Sequence, residues 1–144
     1  MILVDVNVLV YAFDEEATDH ATYRAWLESA LDGDEPVGIA DEVLAAFVRL
    51  VTHPRVLVRP APVEAAFAFA NAVRDAPASV PVVPGERRWT TFERLCRAAG
   101  ARGNLVPDAW LAAVAMDSGA VLVTTDRDFS RFPGLRWRLP FEPA

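Results

Sequence analysis

Four acidic residues stand where predicted strands end or where a helix begins: Asp5, Glu42, Asp108 and Asp126. Asp5 interrupts ILVDVNVLV, an otherwise nearly continuous apolar run, and an unpaired buried carboxylate is very costly. Glu42 and Asp126 follow the apolar runs VGIA and AVLVTT, while Asp108 comes directly after Pro107. Because open parallel sheets bind ligands beyond the carboxyl ends of their strands, we expect these acids to converge on one site.

A group of four carboxylates needs a compensating cation, because like charges repel one another. A set of oxygen ligands favours Mg²⁺ or Mn²⁺ over zinc. Each acid also has a simpler structural explanation, since Glu42 and Asp108 could act as helix caps and Asp126 as a turn residue. Asp5 is hard to explain in that way, and the joint placement of all four favours a metal site.

Polar neighbours of these acids are candidates for supporting roles. Asn7 is predicted to be an N-cap residue, and it could also orient Asp5. Thr124 and Thr125 end a predicted strand, and one of their hydroxyls could face the site. Of the two, we place Thr125 there as a supporting residue. Asp128 could be an ordinary turn residue.

The elements that must position these residues alternate between strands and helices. Short apolar runs predict strands, the last of them at an edge, over residues 2–6, 37–40, 80–83, 120–125 and 135–139. Helical periodicity, caps and breakers predict helices over residues 7–13, 18–31, 41–52, 62–76, 86–99 and 107–118. This alternation implies right-handed crossovers. We therefore predict one α/β domain over residues 1–144, with a central parallel sheet covered by helices on both faces.

Charge is distributed unevenly along the chain. The net charge of −6 argues against a general polyanion binder. However, residues 1–86 carry a net charge of −9, whereas residues 87–144 carry +3. Every basic residue other than histidine is an arginine. Genomic composition bias explains this preference, and the suitability of a guanidinium for phosphate contact is a compatible second explanation.

Residues that the chain lacks exclude several other chemistries. A P-loop and the phosphoaspartyl enzymes need a lysine, and a hydrolase elbow needs G-x-S-x-G; the chain has neither. The two histidines, His20 and His53, do not suit a catalytic triad or a zinc site. The single cysteine, Cys96, permits no internal disulfide, which fits a reducing compartment. Because the apolar N-terminus contains Asp5 and Asn7 and lacks a basic region, we expect a cytoplasmic protein without a membrane segment.

Four segments of the chain together form a specific pattern: ILVDVNVLVYA, the acid of DEVLAAFVRLVTHPRV, GNLVPDAWLAAVAMDSGA and LVTTDRDFSRFPGLRW. In this order they resemble the PIN-domain ribonucleases of the VapC toxin type. The resemblance covers both ends and much of the middle, but the stretch from about residue 59 to residue 100 carries no motif of the family. DxN or TTD alone would be a weak signal, whereas the ordered combination is highly specific.

The resemblance implies roles for individual residues. Asp5 and Asp108 match the positions of the main metal ligands. Glu42 and Asp126 match the remaining acids, and Asp128 matches an outer, supporting position. With all four acids present, the resemblance implies an active Mg²⁺-dependent endoribonuclease, able to use Mn²⁺, that leaves 3′-hydroxyl and 5′-phosphate ends. The alternative is a PIN-like RNA-binding or scaffold module without catalysis, and it predicts a broken set of acids.

The resemblance also implies partners. Proteins of this type pair with a small VapB-type antitoxin, whose tail places a basic side chain in the acidic pocket, and they are usually homodimers. Because the first part of the chain is acidic, we expect RNA to contact the arginines of the later part: Arg87, Arg88, Arg94, Arg97, Arg127 and Arg131. Pairing of the helix arginines with Glu86 and Glu93 is an equally good explanation. The four tryptophans are expected in the core, with RNA stacking as the less favoured role of Trp89 and Trp137.

Overall fold

All the strands in the described residues, 1–83 and 85–141 of this computed structural model, are parallel and belong to one sheet. The strands are β1 (Ile2–Val4), β2 (Val37–Ile39), β3 (Ser79–Pro81), β4 (Val121–Val123) and β5 (Trp137–Arg138). Their order across the sheet is β3-β2-β1-β4-β5. The chain moves outward from β1 in one direction and later returns to its other side. The carboxyl ends of β1 and β4 therefore meet where the strand order reverses, which is the usual ligand site of such sheets.

Six α-helices flank the sheet in the described part of the chain: α1 (Val6–Phe13), α2 (His20–Leu31), α3 (Asp41–Val51), α4 (Val63–Arg74), α5 (Arg88–Ala99) and α6 (Leu105–Asp117). Helix α1 packs on α2 and α3, and α3 packs on α4. Helix α5 packs on α6, which also contacts β4. The predicted architecture, a central parallel sheet covered by helices, is confirmed. Among these residues no helix has the length and apolar character needed to cross a membrane.

The core lies between the central strands and the helices that cover them. Leu3 of β1 and Leu122 of β4 are fully buried, as are Phe47 of α3 and Leu95 of α5. Burying a side chain of this size stabilises the fold by about 1.5–3 kcal/mol. Helix α6 has buried residues on every side, mostly alanine, so it runs through the interior. This places the start of α6 close to the ends of the central strands.

Predicted element boundaries differ from the structure by a few residues. The strands predicted over 2–6 and 120–125 are three residues long, because a helix or a loop begins directly after the last core residue. Helix α6 begins at Leu105, two residues before the predicted start at Pro107. A proline is tolerated there because the first turn of a helix does not use its N–H groups.

Trp89 lies outside the core, and the expectation that all four tryptophans are buried is wrong for this residue. Its side chain is 65% exposed at the start of α5. Its ring centroid lies 5.6 Å from that of Phe92 and 6.5 Å from that of Trp110. The other three tryptophans are partly buried and pack against the core. Trp89 is therefore a surface aromatic residue with a fixed set of aromatic neighbours.

Candidate metal centre at the carboxyl edge of the sheet

Asp5 connects the end of β1 to the start of α1. Its backbone N–H donates to the carbonyl of Val123 at 2.9 Å, which continues the pairing of β1 with β4. Its Oδ1 atom accepts a hydrogen bond from the N–H of Val6 at 2.6 Å. Asp5 is therefore the N-cap residue of α1, and the prediction that Asn7 caps this helix is wrong. The residue is 5% exposed, and this burial raises the pKa of the Asp5 carboxyl.

The Thr124 hydroxyl links three parts of the site. It donates to Oδ2 of Asp5 at 2.6 Å, and it accepts hydrogen bonds from the Asp126 N–H at 3.0 Å and the Asn7 amide at 3.4 Å. A hydroxyl has one hydrogen and two lone pairs, so its whole hydrogen-bonding capacity is used. Thr125 is the residue predicted for this position from the sequence. Thr124 makes the contact instead, while Thr125 lines the neighbouring cavity. Alternation of side chains along β4 does not separate the two threonines, because β4 ends at Val123 and its last two residues are both buried.

Asp126 begins the 3-10 turn Arg127–Arg131 that follows β4. Its backbone N–H is held by Thr124, and its Oδ1 atom accepts from the N–H of Asp128 at 2.8 Å. The backbone N–H and the carboxylate of Asp126 are thus both fixed by local hydrogen bonds. Asp128, the second residue of this turn, is exposed. The turn therefore presents two carboxylates next to the end of β1.

Asp108 lies in the first turn of α6 and is half-buried. Burial, followed by the negative charges of Asp126, Asp5 and Asp128, raises the pKa of Asp108 to about 6. These four aspartates come from three separate places in the chain. The fold brings them close enough to affect one another, and we call them the aspartate group. Three of the four predicted site acids, Asp5, Asp108 and Asp126, belong to it.

Glu42, the fourth predicted acid, is held by an arginine. Its Oε1 atom lies 3.6 Å from Nη1 of Arg88 across an ion pair. The carboxylates that raise the pKa values of Asp5 and Asp108 are all aspartates. Three of the predicted acids thus belong to one electrostatic group, whereas Glu42 forms an ion pair with Arg88 that was not predicted from the sequence.

The residues present fit a divalent cation at the aspartate group. Every side-chain atom there that could bind a metal is an oxygen, and repulsion among the carboxylates favours a cation between them. The buried Oδ1 atom of Asn7 has no hydrogen-bond partner among the described residues, so one more oxygen is free for a ligand. Within residues 1–83 and 85–141, no three acidic, histidine or cysteine side chains are close enough to form a ready-made metal site. A cation would therefore have to draw the carboxylates together.

Arg88 contradicts the prediction that six arginines contact RNA, since it is only 4% exposed. Arg97 pairs with Glu93 one helical turn earlier, as the alternative explanation expected. The remaining four candidates are exposed: Arg87, Arg94, Arg127 and Arg131. These four, and Arg97 if it leaves Glu93, are the arginines for which RNA contact stays a prediction.

A cavity of about 790 Å³ opens beside Asn7 and Thr125. Its lining combines acidic and apolar side chains, among them Asp14, Glu16, Asp19, Val10, Leu50, Val56 and Leu57. None of the described lining residues is basic. Negative charge next to apolar surface disfavours a phosphate backbone and suits a basic, partly apolar peptide segment.

Comparison with known proteins agrees with this fold. A parallel sheet with acidic residues at its switch point is consistent with a PIN-domain protein, and the PIN domain family matches residues 2–135. Ribonuclease VapC43 of Mycobacterium tuberculosis is 44% identical over 142 residues, which cover 99% of this chain and 97% of that protein. Ribonuclease VapC25 of the same species is 40% identical over 136 residues, covering 94% and 96%. This chain belongs to the VapC family of PIN-domain proteins, as the resemblance in its sequence indicated.

Solved structures share the fold at lower sequence identity. VapC20 of Mycobacterium tuberculosis, described as a sarcin-ricin loop cleaving toxin, matches with a TM-score of 0.64 and 22% identity. That match covers 94% of this chain and 99% of VapC20. VapBC2 from Rickettsia felis, bound to a DNA fragment from their promoter, matches with a TM-score of 0.69 and 21% identity, covering 96% and 98%. At this identity the likeness establishes the fold alone.

Proposed function

We propose that this protein is a Mg²⁺-dependent endoribonuclease, the toxin of a VapBC-like toxin–antitoxin module. It would hydrolyse RNA to 3′-hydroxyl and 5′-phosphate ends. The observation that carries the proposal is the aspartate group, in which Asp5 is buried and mutual repulsion helps to raise the pKa of Asp108 to about 6. Relatives at 40–44% identity over nearly the whole chain are named ribonucleases, which supports the activity.

Asp5, Asp108 and Asp126 would hold the ion, with the Asn7 amide oxygen beside them. Mn²⁺ would substitute, because it also accepts oxygen ligands. When bound, such an ion supplies a Lewis acid that activates water and stabilises charge on the phosphodiester oxygens. The protein supplies a fixed set of negatively charged oxygens at the sheet edge.

Asp5 is well prepared for this role by its hydrogen bonds. Val6 and Thr124 each occupy one of its oxygens, so the carboxylate cannot rotate. A carboxylate has about four lone-pair sites, which leaves roughly one on each oxygen for a ligand. Thr124 also holds Asn7 and the backbone of Asp126 in the same network. One buried threonine thus orients three residues of the proposed site.

We also propose a VapB-type antitoxin as the protein partner. The acidic and apolar cavity beside Asn7 and Thr125 suits a basic, partly apolar tail that ends in the aspartate group. Structures of VapBC complexes share this fold, which supports a partner of that kind. Neutralising Asp14, Glu16 and Asp19 together should weaken antitoxin binding measured by calorimetry. Unchanged affinity in that triple variant would place the antitoxin elsewhere.

Incubation of the protein with total RNA tests the activity directly. Cleavage is expected with millimolar Mg²⁺ or Mn²⁺ and not with EDTA. Sequencing that captures only 5′-phosphate ends should map the cut sites. Cleavage that persists in EDTA, or ends that carry a 5′-hydroxyl, would contradict the proposed chemistry.

One observation favours the alternative of a PIN-like RNA-binding or scaffold module. Glu42 is paired with Arg88, and its charge is not among those that raise the pKa values of Asp5 and Asp108. A module of that kind would bind RNA in a gel-shift experiment and leave it intact at every Mg²⁺ or Mn²⁺ concentration. The cleavage experiment therefore separates the two functions.

A further inference from the structure

Arg88 is a buried cation that the aspartate group does not explain. It is the first residue of α5 and is 4% exposed. Its guanidinium lies between two carboxylates, 3.6 Å from Glu42 and 3.8 Å from Asp117. Such a charge is retained inside a protein only when it is paired, and here it joins the start of α3 to the end of α6.

The position of this guanidinium is fixed by the loop before α5 and by α6. It donates to the carbonyl of Val83 at 3.2 Å and lies 6.0 Å from the ring centroid of Trp110. Asp117 also accepts a hydrogen bond from the N–H of Gly85 at 2.8 Å. A Cβ atom at position 85 would overlap the Asp117 carboxylate, so only glycine allows this close approach. Arg88 is therefore held in place by contacts that do not involve Glu42.

The contact between Glu42 and Arg88 is an ion pair without a hydrogen bond. The Oε1 atom of Glu42 is buried and has no hydrogen-bond partner among the described residues, and the same holds for Nε of Arg88. Arg88 attracts the carboxylate by charge and leaves its lone pairs unused. Glu42 is thus held in place while it remains able to accept another ligand.

We propose that Arg88 is a positioning residue for Glu42. It holds this carboxylate at the start of α3, near the sheet edge, so that Glu42 can join the aspartate group when a divalent cation binds. The inference rests on the proposed function, because it gives the fourth acid its place in the same site.

Two simpler roles of Arg88 predict other effects of its removal on metal affinity. A positive charge that merely lies nearby would repel the cation, so its removal would tighten metal binding. A purely structural link would lower stability, and its effect on metal binding would be independent of Glu42. A positioning role requires that Arg88 and Glu42 act as one unit, which makes their effects on metal affinity non-additive.

These roles are distinguished by measuring Mn²⁺ affinity by calorimetry, with no other ligand present. The proteins compared are the wild type, Arg88→Met, Glu42→Gln and the double variant. We expect Arg88→Met and Glu42→Gln each to weaken Mn²⁺ binding by roughly 10-fold or more, as loss of a residue that orients a ligand does. The double variant should bind no more weakly than Glu42→Gln. Arg88→Lys, which retains the charge, should recover part of the affinity. Additive losses, or unchanged or tighter binding in Arg88→Met, would overturn the proposal.

Two further variants complete the experiment. Arg88→Gln, which keeps a donor for the Val83 carbonyl, replaces Arg88→Met if the latter does not fold, and the same outcomes apply. Arg24→Met is the matched control, because it removes an exposed ion pair with Glu28 on α2. Failure of the wild type to bind Mn²⁺ would overturn the proposed function itself. Normal binding by both the wild type and the neutral Arg88 variants would overturn only the role of Arg88.

Discussion

The Asp5 carboxylate serves the helix and the site at the same time. Its Oδ1 atom caps α1 through the N–H of Val6, and its Oδ2 atom is held by Thr124 within the aspartate group. Asparagine caps a helix about as well as aspartate does, but it lacks the charge. A substitution at position 5 can therefore separate folding from chemistry.

Asp5→Asn should abolish RNA cleavage and weaken Mn²⁺ binding while it leaves the fold intact. The neutral side chain keeps an oxygen for the cap but removes a charged metal ligand. Cleavage rates, Mn²⁺ calorimetry and circular dichroism check the three parts of this expectation. Asp34→Asn, at an exposed aspartate outside the site, is the control. Full activity in Asp5→Asn would remove the central claim about the site.

Thr124→Val should weaken Mn²⁺ binding and lower the free energy of unfolding at neutral pH. Valine has a similar shape, but it removes the donor to Asp5, and a hydrogen bond to a charged group is worth about 1.5–3 kcal/mol. Since this bond lowers the pKa of Asp5, its loss should raise that pKa further. Thr90→Val, at an exposed position of α5, is the matched control. Equal urea midpoints for Thr124→Val and the wild type would argue against this role of Thr124.

The start of α6 makes stability depend on pH, because it carries Asp108 into the aspartate group. The folded pKa of Asp108 is about 6, above the value of 3.8 for an unperturbed aspartate. A raised folded pKa stabilises the protein below the unfolded value, and that contribution is lost as pH rises through the folded value. The melting temperature of the metal-free protein should therefore fall between about pH 4 and pH 6 from this residue.

Two comparisons check the origin of that pH dependence. Asp108→Asn should flatten the fall, because asparagine does not titrate. Millimolar Mg²⁺ should restore the melting temperature at pH 7.5 by mass action. A melting temperature at that pH that ignores both Mg²⁺ and EDTA would speak against a cation at the aspartate group.

At the level of elements, local sequence patterns predicted most of the strands and helices, whereas contacts between distant segments were not predicted. The apolar runs around Leu3 and Leu122 predicted the central strands, and strand–helix alternation predicted their parallel arrangement. The proximity of the acids at the strand ends followed from that arrangement. The pairing of Arg88 with Glu42 and Asp117 did not, because it joins three elements that are distant in sequence. The choice between Thr124 and Thr125 also failed, since it depended on the last residue of a short strand.

For the molecule as a whole, the arginines of the later part of the chain are the candidate path for RNA. The combined Arg87→Ala and Arg94→Ala variant should weaken RNA binding and reduce the slope of log affinity against log salt by roughly one per lost phosphate contact. Filter binding at several salt concentrations measures this slope. Cleavage at saturating RNA should survive, because the aspartates are unchanged. Arg49→Ala, on α3, serves as the control, and an unchanged slope in the double variant would assign Arg87 and Arg94 to solvent or to another partner.

The exposure of Trp89 gives the protein an optical reporter of its own. Trp89 is 65% exposed and the other three tryptophans are partly buried. We therefore expect its indole to emit at a longer wavelength and to be more accessible to a dissolved quencher. Because Trp89 directly follows Arg88, anything that covers or shifts the start of α5 should change this component of the fluorescence. Subtracting the spectrum of Trp89→Phe isolates the signal. Binding on that face can then be followed in real time without a chemical label.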